Sequence, residues 1–433
     1  MAKAPATKRP AVKRPVGPPR ATGLARVEYL KIENYRALRS VELDDITPLT
    51  VLLGPNGSGK STIFDVFNFL SECFAIGLRK AWDKRGRFRE LRTRGSRAPI
   101  LIELRYRETP DAEPSSYRIE IDEVDGNPVV VREYLKFRRV ARGVPGAPYM
   151  ILSFRNGRGW AIAGPSPGPT DKKLKERLDE PDMLAVSTLG RLAKHPRVAA
   201  LRRFISDWYV SYLSVDDARG IPEAGAQDRL SKTGDNLANV VQHLQEQHPG
   251  QLLEIFKILA RRVPQLEKVV AEQLPDGRLM LRMKDAPFDD PILAKFASDG
   301  TLKMLAYLVV LHDPMPPQFI GIEEPENFLH PRLLLDLAEE CRAASERAQL
   351  LVTTHSPFFV DGLRAGELRI LYRNSAGHTN IVRASDVPGV PNFIEAGAVL
   401  GQLWMEGHLD VRDTPIRGMR RTSRGRRGRG GKA

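Results

Sequence analysis

Hydrophobic and polar residues alternate in three short stretches near the start of the chain, which is the pattern of β-strands with one buried face. These stretches are residues 27–35, 41–46 and 49–53. The third leads directly into the glycine-rich segment GPNGSGKST, after which apolar residues recur at helical spacing over residues 63–70. The pattern therefore predicts a strand, a loop and a helix in that order.

The middle of the chain changes from strand patterns to helix patterns. We predict strands at 100–106, 117–121, 128–137 and 150–154, and helices near 182–194, 197–208 and 235–247. The Pro- and Gly-rich stretches GVPGAP and GPSPGPT interrupt this region, so no sustained heptad repeat can run through it. We expect an antiparallel β lobe and a helical lobe, inserted at about 97–295 without coiled-coil arms.

Two further apolar runs end in polar side chains. The first, residues 319–322, is followed by Glu323 and Glu324 and then by a proline that ends the strand. The second begins at Gln349 and ends at Thr353, Thr354 and His355. Because ligands gather at the carboxyl ends of strands in an open parallel sheet, we expect these side chains to share one site.

The segment GPNGSGKST matches the Walker A pattern GxxxxGK[ST] in the strand–loop–helix context that gives this pattern its meaning. Its glycines let the backbone N–H groups point inward, and the helix N-terminus favours anions. Lys60 would reach the outer phosphates, and Ser61 would offer its hydroxyl to Mg²⁺. The predicted ATP-binding residues are Gly54, Pro55, Asn56, Gly57, Ser58, Gly59, Lys60, Ser61 and Thr62.

A phosphate-binding loop that supports hydrolysis needs carboxylates nearby. We assign Glu323 to the metal and Glu324 to the proton of the attacking water, with Lys60 and His355 completing the catalytic set. An acidic surface turn is the alternative for the two glutamates, but the buried-type strand before them argues against it. A lone histidine is more often structural, and only the position of His355 at a strand tip favours a functional role.

The charge of the chain is unevenly distributed. The 433 residues carry a formal net charge of +14, and the segments 1–26 and 414–433 hold seven and eight basic residues with no acidic ones. The remaining body is therefore close to neutral. We expect residues 1–23 and 413–433 to be disordered tails that either attract nucleic acid phosphates or only solubilise the protein. Anionic lipid is a weaker third option.

Other features of the composition narrow the class of protein. Two cysteines far apart in the chain suggest neither a disulfide framework nor a zinc site. No stretch is long and apolar enough to span a membrane, and the N-terminus has no secretory signal pattern. We expect a cytoplasmic protein without a membrane partner, which could associate with the nucleoid.

Taken together, these motifs resemble the ATPase heads of the ABC class, in the branch of RecF, SMC proteins and OLD-type nucleases, and most closely the stand-alone RecF-like ATPases. The resemblance rests on five segments and covers residues 24–412. They are LKIENYRAL (30–38), GPNGSGKST (54–62), FASDGTLKMLAYL (296–308), IEEPENFLHP (322–331) and TTHSP (353–357). It implies an α/β P-loop fold with a mixed central sheet.

The resemblance also implies roles for residues that chemistry alone would not single out. Ser298 and Gly300 fall on the signature motif, which caps the γ-phosphate held by the other subunit of a dimer, although SDGT is also an ordinary helix N-cap. Asn34 and Arg36 fall near the bound nucleotide, and residues 327–330 fall on the D-loop. His330 replaces the usual D-loop aspartate, Glu323 replaces the usual metal-binding aspartate, and no convincing Q-loop glutamine follows the P-loop helix.

Two functions remain open from the sequence. The first is an ATP- and Mg²⁺-dependent ATPase that forms a homodimer on ATP and acts on DNA through its tails and head, in repair, break processing or replication restart. The second is a nucleotide-gated sensor that regulates a separate effector protein, as similar heads do in prokaryotic defence systems. A head that binds ATP without turnover is a third reading, which the intact set of Lys60, Glu324 and His355 disfavours.

Overall fold

The computed structural model describes residues 24–138, 140–141, 144–225, 227–263 and 266–411. Both predicted disordered tails lie outside these residues.

Nineteen strands and thirteen helices are present in the described part of the chain. The strands are β1 (Arg26–Tyr35), β2 (Leu38–Leu43), β3 (Leu49–Leu53), β4 (Ile100–Arg107), β5 (Ser115–Val124), β6 (Asn127–Phe137), β7 (Val140–Ala141), β8 (Val144–Pro145), β9 (Tyr149–Arg155), β10 (Arg158–Ile162), β11 (Lys173–Arg177), β12 (Tyr209–Ser211), β13 (Leu266–Gln273), β14 (Leu279–Asp285), β15 (Ile292–Leu293), β16 (Phe319–Glu323), β17 (Gln349–Thr354), β18 (Leu368–Arg373) and β19 (Thr379–Arg383). The helices are α1 (Lys60–Ile76), α2 (Leu78–Asp83), α3 (Arg87–Leu91), α4 (Ala185–Leu189), α5 (Pro196–Ser206), α6 (Val215–Ala218), α7 (Leu237–Gln247), α8 (Pro249–Arg262), α9 (Asp299–Leu311), α10 (Pro331–Ala344), α11 (Pro357–Val360), α12 (Val390–Glu395) and α13 (Leu400–Met405).

The central sheet has six strands in the order β12–β16–β17–β3–β18–β19. All neighbours run parallel except the edge strand β19, which is antiparallel to β18. Because β17 pairs with both β16 and β3, the carboxyl ends of these strands meet at one edge, with Glu323 opposite Thr353 and Leu53 opposite Thr354. The sheet therefore brings the three polar strand ends of the sequence together.

Strand β3 is buried on both faces, because the sheet is covered on each side. Leu49, Val51 and Leu53 face a core that includes the signature helix α9 and helix α10. Leu52 faces a second core, which includes helix α1 and the neighbouring antiparallel sheet. This two-sided burial explains why β3 reads as a continuous apolar run.

The second sheet contains eight antiparallel strands in the order β11–β10–β9–β6–β5–β4–β1–β2. The predicted β lobe is thus an extension of the β1–β2 hairpin, to which β4 adds directly. Its inner face is mostly apolar but includes the buried Glu133, whose carboxylate accepts hydrogen bonds from Tyr117 Oη and from the backbone N–H groups of Ala185 and Val186. Burial raises the pKa of Glu133 to about 7.

The helices of the inserted region differ from those predicted, since α6 and the 14-residue helix α8 were not predicted and one predicted helix is shortened. Of the helix expected at 182–194, only α4 forms, since its last turn is closed by Gly190 and α5 starts anew at Pro196. The strand expected at 41–46 instead ends at Leu43, because Asp45 takes a positive φ of 44°. Three strands that the sequence analysis did not predict, β13 to β15, form a separate small sheet.

The other predicted elements agree with the structure within a few residues, and the α/β fold with a mixed central sheet is confirmed. The longest helix in the described ranges, α1, has 17 residues, so the heads carry no coiled-coil arm there. Cys73 and Cys341 are buried free thiols. No helix of the described chain has the length and apolar character that a membrane span requires.

Candidate functional site

The glycine-rich loop follows β3 without a break and turns into α1 at Lys60. Ser58 N donates a hydrogen bond to Pro55 O at 3.1 Å, which closes the turn of the loop. Gly57 and Gly59 both have positive φ, 77° and 109°, where a side chain would strain the backbone. The sequence therefore needs glycine at these two positions to place the N-terminus of α1 under the loop.

The loop is supported from the side by the hairpin of β18 and β19. Thr379 Oγ1 donates a hydrogen bond to Ser58 O at 2.8 Å, and Arg373 Nε donates one to Gly57 O. A Cβ atom on Gly59 would lie 2.4 Å from Thr379 Oγ1, and one on Gly54 would lie 2.4 Å from Leu371 O. The hairpin thus packs so closely that only glycine fits at both positions.

Lys60 is buried at the base of the loop, with only 4% of its surface exposed. Its Nζ donates hydrogen bonds to Gly54 O at 2.8 Å and to Pro55 O at 3.3 Å. Burial lowers the pKa of Lys60, while the carboxylates of Glu324, Glu326 and Glu323 act in the opposite direction. The lysine therefore lies in an acidic neighbourhood that offsets part of the effect of burial.

Glu323, the last residue of β16, lies beside the N-terminal turn of α1. Burial raises the pKa of Glu323, and a hydrogen bond with the Ser61 hydroxyl opposes this shift. The contact joins a carboxylate and a hydroxyl, the oxygen ligands that Mg²⁺ prefers. The donor set of these two residues fits a magnesium ion, and their assignment to Mg²⁺ stays a prediction. Thr62, the next residue of α1, is half-buried.

Glu324 follows β16 in a strained backbone conformation, with a φ of +42°. Its N–H group donates to Thr353 O at 2.9 Å and to Thr353 Oγ1 at 3.2 Å, so the neighbouring strand holds the conformation. The Glu324 side chain is partly exposed, and Asn327 Nδ2 donates to its Oε2 at 3.4 Å. The carboxylate is therefore accessible from the edge of the sheet where the loop lies.

His355 lies at the end of β17 and is held by Glu326, a residue that the sequence analysis did not single out. Glu326 Oε1 accepts hydrogen bonds from the His355 backbone N at 2.7 Å and from Thr354 Oγ1 at 2.9 Å. His355 Nδ1 lies 3.0 Å from the same oxygen and 3.9 Å from Glu324 Oε1. One buried carboxylate thus fixes both the backbone and the ring of the histidine.

The signature segment begins α9, where the Ser298 side chain caps the helix by accepting a hydrogen bond from Thr301 N at 3.2 Å. Both readings of SDGT, N-cap and anion site, agree with this geometry. A Cβ on Gly300 would lie 3.1 Å from Phe328 O, so the signature packs against the D-loop. None of the hydrogen bonds or ion pairs within residues 266–411, or from there to 24–138, joins Ser298 to the glycine-rich loop.

Lys303, one turn into α9, connects the signature helix to the D-loop. It is buried, and its Nζ donates to Asn327 O at 2.8 Å. Burial lowers the pKa of Lys303 to about 8, and Glu326 and Glu324 oppose the shift. His330, at the end of the D-loop, accepts a hydrogen bond from Arg332 N and caps α10.

Asn34 and Arg36 both have positive φ at the end of β1, 61° and 48°. The Asn34 amide is used internally, since it donates to Pro99 O and accepts from Ser96 Oγ. Arg36 Nη1 pairs with Asp65 Oδ2 at 3.0 Å, which places the guanidinium beside α1. Arg36 is therefore next to the P-loop helix, whereas the side chain of Asn34 shapes the turn behind it.

A protein-family profile matches residues 49–361, more than half of the chain. The family is described as "AAA domain, putative AbiEii toxin, Type IV TA system". The chain belongs to this AAA family. Nucleotide binding and hydrolysis follow from this membership, in agreement with the ATPase predicted from the motifs.

Solved structures similar to this AAA protein are SMC head domains. One is a crystal structure of an SMC head bound to the C-terminal winged-helix domain of ScpA, with 16% identity, 82% of this chain and 96% of the other covered, and a TM-score of 0.52. Another is the SMC head domain from Thermotoga maritima, with 14% identity, 83% and 98% covered, and a TM-score of 0.45. The first likeness supports the ABC-class head fold. No curated protein matches the chain significantly.

Proposed function

We propose that this AAA protein is a Mg²⁺-dependent ATPase of the RecF-like type, whose heads dimerise on ATP and act on DNA. The observation that carries the proposal is the meeting of Ser61, Glu323, Glu324 and His355 at one edge of the central sheet. An ATP molecule on the loop would place its γ-phosphate at this edge, because β3, β16 and β17 all end there.

Phosphate binding would use the backbone first. The N–H groups of the loop and the N-terminus of α1 point at the β- and γ-phosphates in folds of this type. Lys60 then exchanges its hydrogen bonds with Gly54 O and Pro55 O for phosphate oxygens. Ser61 and Glu323 would hold Mg²⁺, which neutralises charge on the β- and γ-phosphates when bound.

Hydrolysis would use Glu324 as the general base. Its carboxylate is accessible, while its backbone is fixed by Thr353, so the side chain can accept a proton from a water beside the γ-phosphate. His355 would donate a hydrogen bond to the γ-phosphate as charge develops on it. Strained backbone at Glu324 and Phe328 is consistent with a functional site, where such conformations tend to occur.

Glu326 would act as a positioning residue for His355. We expect Glu326→Ala to lower kcat by about 10- to 100-fold, the usual effect of removing a partner that orients a functional side chain, with KM for ATP almost unchanged. Glu326→Gln retains Oε1 as an acceptor and should lose less. Steady-state kinetics of both variants test this, and a rise in KM with unchanged kcat would contradict it.

Dimerisation would complete each site, since Gly300 packs against the D-loop of its own chain, Ser298 caps its own helix, and no bond joins either to the glycine-rich loop of the same chain within the described residues. Their helix N-terminus would cap the γ-phosphate held by the partner head. His330 caps α10 in place of the usual aspartate, so communication through the D-loop would rely on the link between Lys303 and Asn327.

The test of this function is steady-state ATP hydrolysis by the full chain, with and without linear duplex DNA. We expect DNA to increase the rate, and the increase to disappear in Glu324→Gln. Hydrolysis that is indifferent to DNA would contradict the action on DNA while leaving the ATPase assignment standing.

A second candidate function is supported by the family description, which names a toxin–antitoxin system. In this alternative, ATP binding and hydrolysis gate the contact with a separate effector protein. The two differ in what changes the rate of hydrolysis: an effector in this case, DNA in the first. Cofactor use and the roles of Lys60, Glu324 and His355 are the same in both.

A further inference from the structure

A row of four arginines crosses the outer half of the eight-stranded sheet. The strand register places Arg132 of β6 opposite Arg155 of β9, Arg155 opposite Arg158 of β10, and Arg158 opposite Arg177 of β11. All four side chains lie on the outer face, because the residues next to them in sequence, such as Glu133 and Phe154, are buried. We call this set the arginine row.

More positive charge flanks the row on the same face. The next row along these strands contains Tyr134, Ser153, Trp160 and Lys175 in register. Lys136 Nζ lies 5.0 Å from the centre of the Tyr134 ring, and Lys173 Nζ lies 4.3 Å from that of Trp160. The outer half of the face is therefore basic, with aromatic rings beneath some of the cations.

These cations have no acidic partners among the residues that the structure describes. The four arginines of the row form no ion pair there, and Glu120, which lies opposite Arg132, pairs with Arg118 instead. Like charges directly opposite each other on neighbouring strands destabilise a sheet. The row therefore costs folding stability, and within the described residues only the Tyr134 ring, 5.2 Å from the Arg132 guanidinium carbon, gives a member of the row an electrostatic partner.

The other half of the same face shows the opposite arrangement. Lys31 pairs with Glu33 at 3.1 Å and with Glu42 at 3.0 Å, and Arg118 pairs with Glu103 at 3.4 Å. On this face most cations over β1 to β5 are thus neutralised, with Arg105 over the Tyr29 ring as an exception. The arginines and lysines over β6, β9, β10 and β11 form no ion pair among the described residues. General solubility does not explain this division, since it requires no segregation of charge.

We propose that the arginine row is the surface on which this protein binds the phosphate backbone of nucleic acid, a proposal that rests on the DNA-directed function above. Strands about 4.8 Å apart give the row a length of about 14 Å. A DNA duplex carries one negative charge per ~1.7 Å of its axis, so about eight phosphates lie within this length. The row can therefore contact several phosphates at once without reading sequence.

The surface fits nucleic acid better than a membrane. None of the large exposed hydrophobic side chains in the described residues belongs to β6, β9, β10 or β11, so the face lacks apolar anchors for lipid. The binding would be electrostatic and strongly dependent on salt, because each phosphate contact releases counterions.

The test compares the full-length protein with the variant R132Q/R155Q/R158Q/R177Q, using a fluorescent 30-base-pair duplex and anisotropy at three salt concentrations. We expect the variant to bind on the order of 100-fold more weakly at low salt, with a salt slope smaller by about 2 to 4, from roughly 0.9 per lost contact. Its melting temperature should not fall, because like-charge repulsion is removed.

Two further variants serve as controls. The four-lysine variant R132K/R155K/R158K/R177K keeps the charge and should retain most of the affinity. K31Q/R118Q removes two paired cations from the same face and should leave DNA binding nearly unchanged. One result would overturn the role of the arginine row in DNA binding but not the proposed function. It is DNA-dependent hydrolysis in the wild type together with unchanged DNA binding by R132Q/R155Q/R158Q/R177Q.

The reverse combination of results would also distinguish the arginine row from the proposed function. Row-dependent DNA binding with a rate of hydrolysis that does not respond to DNA would support the arginine row and contradict the proposed stimulation of hydrolysis by DNA. Row-dependent binding to phosphatidylserine vesicles, or to an acidic protein, without binding to DNA would overturn the nucleic acid assignment.

Discussion

Glu324→Gln is expected to lower kcat for ATP hydrolysis by about 10²- to 10⁴-fold, the contribution of a general base, while ATP binding is retained. Glutamine has nearly the same shape and keeps the backbone bonds to Thr353, but it cannot accept a proton from water at neutral pH. The Asn327 contact to Oε2 is the only side-chain hydrogen bond to this carboxylate within the described residues, so little structure is lost.

The measurement is single-turnover hydrolysis beside titration with a fluorescent ATP analogue. A matched control is Glu339→Gln, the same chemical change on the exposed face of α10, which should leave both quantities unchanged. If the dimer model holds, the Glu324 variant should also accumulate as an ATP-bound dimer by light scattering. Wild-type turnover by Glu324→Gln would exclude this residue as the base.

The sequence was sufficient for the parts of the site that depend on local pattern. Strand β3, the glycine-rich loop and α1 are contiguous, so their order and chemistry could be predicted from residues 49–76 alone. The acidic pair and His355 could be placed at one edge because parallel strands bring their carboxyl ends together. The structure places Glu323 against Ser61 and His355 near Glu324, in agreement with that reasoning.

The parts of the site that could not be predicted from the sequence depend on contacts between segments that are far apart in the chain. Thr379 and Arg373 support the glycine-rich loop across more than 300 residues of sequence, and no local pattern marks them. Glu326 lies in a recognised motif, but its role needs the contact with His355 to be seen. The arginine row likewise exists only through strand register, since its members are spread from Arg132 to Arg177.

The structure adds contacts that bear on two interpretations of the sequence, the assignment of Asn34 and the helix predicted at 182–194. Asn34 was assigned to the surroundings of the nucleotide from the resemblance, and both ends of its amide bind the segment before β4, at Pro99 O and Ser96 Oγ. The predicted helix at 182–194 is reduced to α4, which begins at Ala185 and ends at Leu189, while Asp182 lies before the helix and pairs with Arg79. Both contacts join segments that are far apart in the sequence, so no local pattern marks them.

Gly59→Ala is expected to weaken ATP binding by on the order of 100-fold, because the added Cβ atom would bring both backbone strain and a steric collision. Alanine at a φ of 109° is strained by about 1–3 kcal/mol. The new Cβ would also lie 2.4 Å from Thr379 Oγ1 and 3.0 Å from its Cγ2, so either the loop or β19 must move. Movement of the loop would displace Lys60 and the first N–H groups of α1, on which phosphate binding depends.

Two variants separate strain from collision at this glycine. Gly57→Ala places alanine at a φ of 77° with no atom within 4 Å of the new Cβ, so it should show the backbone cost alone and a smaller loss of affinity. Gly59→Ala combined with Thr379→Ala removes the colliding hydroxyl and methyl groups and should recover part of the binding. Titration with a fluorescent ATP analogue and the ATP-induced rise in melting temperature measure all three. Equal losses for Gly57→Ala and Gly59→Ala would mean that the contact with β19 does not hold the loop, and that backbone strain alone requires glycine there.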